Sequence, residues 1–189
     1  AESAVAAGDI SKATSLWNQV IEMEPENESN YYKRFRVHLR QGLSKYKDAI
    51  SDLNKVLSIN SKHEDAIGQR AKIYLKIGKC KESLDDYNNL KKINPNSKEL
   101  VTHDQAARCE ITLRHADKQF YTNKNYHDAK DNYAKAIGFT IVSKSQKEQC
   151  ADILLKKAHC SFFIGDMHMT ISDSGKVLKI NKDDINALT

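Results

Sequence analysis

The histidines, cysteines and glycines of this 189-residue chain are the residues whose spacing could create a metal, redox or phosphate site. No two of the seven histidines lie three or four residues apart, and the four cysteines form no C-x-x-C pair, so no helix presents neighbouring zinc ligands. The glycines are never closer than ten residues, whereas G-x-G-x-x-G and the P-loop need clustered glycines to bring backbone N–H groups onto phosphate. We therefore predict no catalytic residues, no metal site and no cofactor, and we do not expect an enzyme.

The composition favours helices as the elements that would position any binding residues. Glycine and proline together number 9 of 189 residues, well below the average share of about 12%. No run of 18 apolar residues occurs, so no membrane span is predicted. The net charge of +5 is mild, and the lysines are scattered without a basic and aromatic platform, so nucleic acid is not an expected partner. Because the chain lacks an initiating Met, we expect a processed or excised piece.

Helix pairs recur along the chain. Gly8, Gly78 and Gly165 are each followed by small or apolar residues after five, nine and twelve residues, which is one face of a helix. A second segment of helical periodicity precedes Gly42 and Gly78, so the unit is helix, short turn, helix. These units resemble the tetratricopeptide repeat, a helix pair of about 34 residues.

The register of the repeats divides the chain into two parts. Residues 64–97 match the repeat without a gap, at Ile67, Ala71, Tyr74, Gly78, Ser83, Tyr87, Leu90 and Pro95. The other units are 28–63, with a two-residue insertion after Gly42; 110–143, with Lys124 in place of the turn glycine; and 151–184, after a seven-residue insertion. We predict an all-α, right-handed superhelix. Residues 1–97 would hold repeats one (partial) to three, and residues 98–189 a long joining helix, repeats four and five and the start of a sixth.

The first helix of each pair is expected to line a concave face, where two rows recur at fixed repeat positions. The apolar row consists of Leu39, Leu75, Tyr121 and Phe162. The basic row consists of Arg36, Lys72, Lys118 and His159. Together with Tyr32, these residues are predicted to bind polypeptide through apolar contacts and attraction to acidic or carbonyl-rich segments. The alternative is that the apolar row only packs one repeat on the next and that the basic row is a solvated face.

The cysteines are expected to be structural. Cys80 and Cys160 occupy repeat positions that are usually apolar, where buried, inert thiols are expected. Cys109 and Cys150 each precede a predicted helix and are expected to be more exposed. A bridge between Cys150 and Cys160 would have to span about 15 Å along one helix, so the cysteines leave the redox compartment open.

Four short stretches carry a more particular resemblance, at residues 6–8, 31–34, 52–56 and 171–173. With the insertion in unit two and the long helix before unit four, they resemble the repeat regions of endoplasmic-reticulum J-domain co-chaperones of the DnaJ family, subfamily C type. The resemblance implies a domain of the endoplasmic-reticulum lumen that holds unfolded polypeptide clients for a 70-kilodalton heat-shock chaperone. A J domain needs a His-Pro-Asp triplet, and neither Pro25 nor Pro95 lies in one, so the partner chaperone would be reached through a J domain absent from this chain.

Two other interpretations concern cytosolic repeat proteins. A carboxylate clamp for acidic chaperone tails needs lysine, asparagine and arginine at set positions. One register offers Tyr32, Arg36, Gln69, Ile111 and His115 instead, and the other offers Gly68, Lys72, His115, Asp152 and Lys156. Tail binding of that type is therefore not expected. A cytoplasmic scaffold for protein assembly remains an open alternative to client binding.

Overall fold

Helix pairs make up the structure, a computed structural model that describes residues 1–42, 45–141 and 150–185. In these ranges the α-helices are α1 Glu2–Ala6, α2 Ile10–Met23, α3 Glu28–Arg40, α4 Tyr46–Ile59, α5 Glu64–Lys76, α6 Cys80–Ile93, α7 His103–Asp117, α8 Tyr126–Thr140, α9 Ala151–Phe163 and α10 Met167–Ile185. The described ranges contain no β-strand, and the all-α prediction is confirmed. The predicted insertion at residues 43–44, all but Cys150 of the predicted insertion at residues 144–150, and most of the predicted start of a sixth repeat lie outside the described residues.

Residues in a left-handed backbone conformation form the turns within two of the helix pairs. Gly78 ends the turn between α5 and α6 with a φ of +83°, a left-handed conformation that favours glycine. Its lack of a side chain also lets the chain approach α9, because a Cβ atom there would lie 2.7 Å from the Cβ of Cys150. In the fourth pair Lys124 adopts the same left-handed region, with a φ of +55°, as its place in the repeat pattern requires.

The apolar faces of successive pairs form four core clusters along the chain, as expected when no single helix pair can bury its own apolar side chains. The largest fully buried side chains in these clusters are Phe35, Val37, Leu53, Val56, Leu75, Tyr87, Tyr133 and Leu154. The helices are therefore held by contacts between neighbours in sequence, and each pair depends on the next.

A continuous helical run joins the third pair to the fourth in place of a single long α-helix. It starts with a 3-10 segment, Lys98–Thr102, continues as α7 and ends in a π-helical turn, Lys118–Thr122. The 3-10 segment lies tightly on α5, where Glu99 occupies the space that a side chain on Gly68 would need. Thr102 also forms a hydrogen bond with the buried hydroxyl of Tyr87 on α6. These contacts fix the start of α7 against the third pair.

A repeated ion pair links the two helices of several pairs. Arg34 on α3 contacts Asp52 on α4 at 2.5 Å, and Arg70 on α5 contacts Asp86 on α6 at 2.6 Å. In the fifth pair Lys157 takes the place of arginine and contacts the fully buried Asp173 at 2.8 Å. Burial raises the pKa of Asp52, and the hydrogen bonds from Arg34 oppose that shift. Buried carboxylates of this kind need a fixed cation, so the pairs set the orientation of each second helix.

Candidate functional site

An open cleft of about 630 Å³ lies between the start of α6, the second half of α7 and α9. We call it the α6–α7–α9 cleft. Its lining combines apolar side chains, such as Tyr121 and Leu155, with basic ones, such as Lys156 and His159, and with the carboxylates of Glu82, Glu110, Asp117 and Asp152. The Tyr121 side chain is 57% exposed and that of Leu155 42% exposed, so the apolar part of the lining is open to a ligand.

A hydrogen-bonded group on the cleft floor holds Lys156 in place. The carboxylate of Asp117 accepts a hydrogen bond from the Tyr133 hydroxyl at 2.6 Å and one from the Lys156 ammonium at 2.8 Å. Burial and the neighbouring Asp117 carboxylate raise the pKa of Tyr133 well above its usual range, so this phenol keeps its proton. The Lys156 ammonium also lies 6.0 Å from the ring centre of Tyr121, a cation–π distance that steadies this exposed ring.

The predicted apolar row divides between core and surface. Tyr121 and Phe162 are 57% and 56% exposed, in the fourth and fifth pairs. Leu39 is half-buried against the core of the second pair. Leu75 is fully buried, because it packs in one core cluster with Tyr87 of α6 and Ala106 of α7. The placement of Leu75 on an open groove is therefore wrong, and it is a core residue.

The predicted basic row is also distributed among different surroundings. Lys118 and His159 are exposed, and His159 lines the α6–α7–α9 cleft. Lys72 is held by Glu99 at 2.6 Å, because the 3-10 segment brings that carboxylate onto α5. Arg36 lines a separate cavity of about 190 Å³ beside Trp17, at the amino-terminal end of the chain. Lys72 is thus an internal ion-pair partner rather than an open contact.

Tyr32, the remaining predicted residue, is half-buried on α3. Its ring lies 5.3 Å from Phe35 and 5.0 Å from His63, measured between ring centres. Burial raises its pKa. The structure therefore brings Tyr121 and His159 together in one cleft and leaves Tyr32, Arg36 and Leu39 in the first half of the chain.

The cysteines differ from the sequence prediction. Cys80 and Cys109 form a disulfide with a Cα–Cα distance of 5.6 Å, and both are buried between α6 and α7. The expectations of a Cys80 thiol and of exposed positions for Cys109 and Cys150 are wrong, since Cys150 is fully buried as well. Burial raises the pKa of the Cys160 thiol to about 11, which makes it unreactive at neutral pH, as expected of an inert core thiol.

Two chemical possibilities find no support in the described part of the chain. No group of three or more histidine, cysteine or acidic side chains is placed to hold a metal ion there. Among the helices of the same residues, none is both long enough and apolar enough to cross a bilayer. What the α6–α7–α9 cleft offers is apolar contact next to charged groups of both signs, which suits an extended polypeptide.

Comparison with known proteins finds relatives among the DnaJ-type co-chaperones that the sequence resembles. The chain is 29% identical over 185 residues to DnaJ homolog subfamily C member 3 of Mus musculus, covering 97% of the chain and 35% of that protein. The chain is homologous to DnaJ homolog subfamily C member 3. It is also 26% identical over 184 residues to the tetratricopeptide repeat and J domain-containing co-chaperone DNJ1 of Fusarium oxysporum, covering 97% of the chain and 33% of that protein. No family model matches the chain.

A solved structure supports the fold at the level of the whole chain. The crystal structure of the P58(IPK) TPR domain matches with a TM-score of 0.79 and 26% identity, over 98% of this chain and 50% of that one. The helix pairs are therefore tetratricopeptide repeats, and the predicted resemblance to DnaJ co-chaperones is confirmed. The chain spans about a third of the length of the curated relatives it matches.

Proposed function

We propose that the chain is the client-binding repeat domain of a co-chaperone and holds unfolded polypeptide for a 70-kilodalton heat-shock chaperone. The observation that carries this proposal is the α6–α7–α9 cleft, where the exposed Tyr121 and Leu155 lie beside Lys156 and His159. Homology to DnaJ co-chaperones supports the choice of partner. No His-Pro-Asp triplet occurs in the 189 residues, so in this proposal they bind the client and leave the chaperone's ATPase untouched.

The contacts that a client would make follow from the cleft lining. An extended segment can place an apolar side chain against Leu155 and Tyr121 while its backbone carbonyls or carboxylates face Lys156 and His159. Such contacts depend on side-chain type more than on sequence, as binding to many unfolded chains requires. The one cysteine of the lining, Cys80, is held in the disulfide.

We propose the endoplasmic-reticulum lumen as the location. The support is the buried Cys80–Cys109 disulfide, because disulfides persist in oxidising compartments and are rare in the cytosol. A protease-protection assay on microsomes from the source cell tests this location. Protection that is lost only after detergent is expected, and digestion without detergent would place the protein in the cytoplasm.

The function is tested by suppression of aggregation of a thermally unfolded model protein. The wild-type chain is expected to suppress aggregation near stoichiometric ratio and to leave the ATPase rate of the heat-shock chaperone unchanged. Leu155→Ser removes exposed apolar surface inside the cleft and should weaken client binding about 5- to 10-fold. The matched control is Ile111→Ser, which removes a 61% exposed side chain outside the cleft and should leave binding unchanged. Absence of suppression by the wild type would favour an assembly scaffold.

A further inference from the structure

Five aromatic side chains from the π-helical turn after α7, from α8 and from α9 form one continuous group beside the cleft. The group, here called the aromatic edge, consists of Phe120, Tyr121, Tyr126, Phe162 and Phe163. Tyr126 and Phe163 stack with their ring centres 4.6 Å apart, and Phe120 meets both rings edge-on at 5.4 and 5.9 Å. The π-helical turn Lys118–Thr122 carries Phe120 and Tyr121 into this position. Turns of this type occur frequently at functional sites.

The aromatic edge stays open although the other aromatic side chains are partly or fully buried. Tyr121, Phe162 and Phe163 are each more than half exposed, and they are the exposed aromatic side chains of the described residues. Tyr87 and Tyr133, by comparison, are fully buried. Because the rings of the edge already support one another, ordering them on binding costs little entropy, which favours a ligand.

The charges around the aromatic edge are unbalanced. Two of the nearby carboxylates are already paired, Asp117 with Lys156 at 2.8 Å and Asp166 with Lys130 at 2.9 Å, and the exposed Asp128, which follows Tyr126, accepts a hydrogen bond from the Asn125 side-chain amide at 2.7 Å. Lys118 and Lys124, which flank Phe120 and Tyr121 in sequence, are exposed and make no ion pair among the described residues. Around the rings the unpaired lysines, Lys118 and Lys124, therefore outnumber the unpaired carboxylate of Asp128, which leaves an excess of positive charge.

We propose that the aromatic edge is the docking surface for an extended segment of unfolded polypeptide in which aromatic or large aliphatic side chains are flanked by carboxylates. The proposal rests on the proposed function and specifies the chemistry of the client. Tyr121 belongs to both the edge and the α6–α7–α9 cleft, so a client that fills the cleft continues onto the rings. A second copy of this chain fits less well, because pairing edge to edge would bring Lys118 and Lys124 against their own copies.

The first test measures binding of labelled peptides by fluorescence anisotropy. The probe has a central Phe-Leu-Phe flanked by aspartates, and its counterparts have lysine flanks or a Ser-Gly-Ser centre. The aspartate-flanked probe is expected to bind about 10-fold more tightly than either counterpart at low salt. The advantage over lysine flanks should shrink at about 0.5 M salt, where screening is strong. Equal binding of aspartate-flanked and lysine-flanked probes would overturn the acidic part of the proposal.

The second test uses variants of the aromatic edge. Phe162→Ser with Phe163→Ser should weaken the aspartate-flanked probe about 10- to 30-fold. The control pair, Val101→Ser with Ile111→Ser, removes two exposed apolar side chains elsewhere and should bind like wild type. Thermal melts by circular dichroism verify folding. Phe162→Ser alone replaces the double variant if that one is unstable, with the same expected direction.

The outcomes separate this inference from the proposed function. If the Phe162 and Phe163 variant binds the probe as wild type does while Leu155→Ser loses binding and aggregation suppression, the edge proposal is overturned and the cleft function stands. If the wild type neither binds the probes nor suppresses aggregation, both are overturned. If sedimentation shows a wild-type dimer that the Phe162 and Phe163 variant converts to monomer, the occupant is a second copy and the edge proposal is again overturned.

Discussion

Substituting Gly68 by alanine tests whether the 3-10 segment is fixed as closely on α5 as the structure shows. An alanine Cβ at this position would lie 2.4 Å from the Cβ of Glu99 and 2.8 Å from its Cγ. The Glu99 side chain cannot simply turn away, because its carboxylate is held by Lys72 at 2.6 Å and by Gln69 at 3.0 Å. The Cβ is also attached directly to the backbone, so the 3-10 segment itself must move.

Two effects of opposite sign decide the result. Alanine in a helix interior is favoured over glycine by about 1 kcal/mol. Overpacking a tight contact costs about 1–3 kcal/mol, and weakening the half-buried ion pair of Lys72 with Glu99 adds about 1 kcal/mol. The net expectation for Gly68→Ala is a loss of about 2 kcal/mol, which lowers the melting temperature by about 4–8 °C for a chain of this size.

Gly175→Ala is the matched control within the same chain. Gly175 lies inside α10, and a Cβ there would meet nothing within 4 Å. Only the helix-propensity gain applies, so this variant should melt about 1–4 °C higher than wild type. Circular-dichroism melts of the three proteins provide the assay. If Gly68→Ala is as stable as Gly175→Ala, the close approach of Glu99 to α5 is wrong.

Three further substitutions test other parts of the fold by the same melts. Replacing Cys80 and Cys109 by alanine opens a cross-link spanning 29 residues and should cost about 3 kcal/mol; thiol titration in denaturant should find two thiols in the unreduced wild type, and four would disprove the disulfide. Lys124→Gly relieves a left-handed backbone and should raise stability by about 1 kcal/mol; a loss of stability would show that the φ of +55° is wrong. Asp86→Ala strands the partly exposed Arg70 and should cost about 2 kcal/mol, whereas an unchanged melt would show that the ion pair does not orient α6.

The helix pairs were predictable from sequence because an amphipathic helix needs an apolar residue every three or four positions, and that period survives divergence. The surroundings of each repeat position, in contrast, could not be predicted from the sequence. Leu75 and Tyr121 occupy the same place in their repeats, yet Leu75 is buried in a cluster with Ala106 of α7, whereas Tyr121 is 57% exposed. The repeat register predicts on which face of its helix a residue lies, but it does not predict which later segment packs over that face.

The disulfide and the aromatic edge could not be predicted from the sequence, for a related reason. Cys80 and Cys109 stand 29 residues apart in different repeats, and they meet only because α6 and α7 lie side by side. Phe120 and Tyr126 belong to the fourth helix pair and Phe163 to the fifth, so these rings meet only when the two pairs pack together. The signal that could have identified the edge is the set of aromatic residues near the turns within two consecutive repeats.

The most direct test of client binding at the cleft and the aromatic edge is site-specific photo-crosslinking to an unfolded model protein. A photoreactive amino acid is placed singly at Leu155 in the cleft, at Phe162 on the aromatic edge and at Ile111 outside both. Cross-linked products are then quantified by mass spectrometry. We expect strong cross-links from positions 155 and 162 and only background from position 111. Equal yields from all three positions, or background at 155 and 162, would contradict polypeptide binding at this surface.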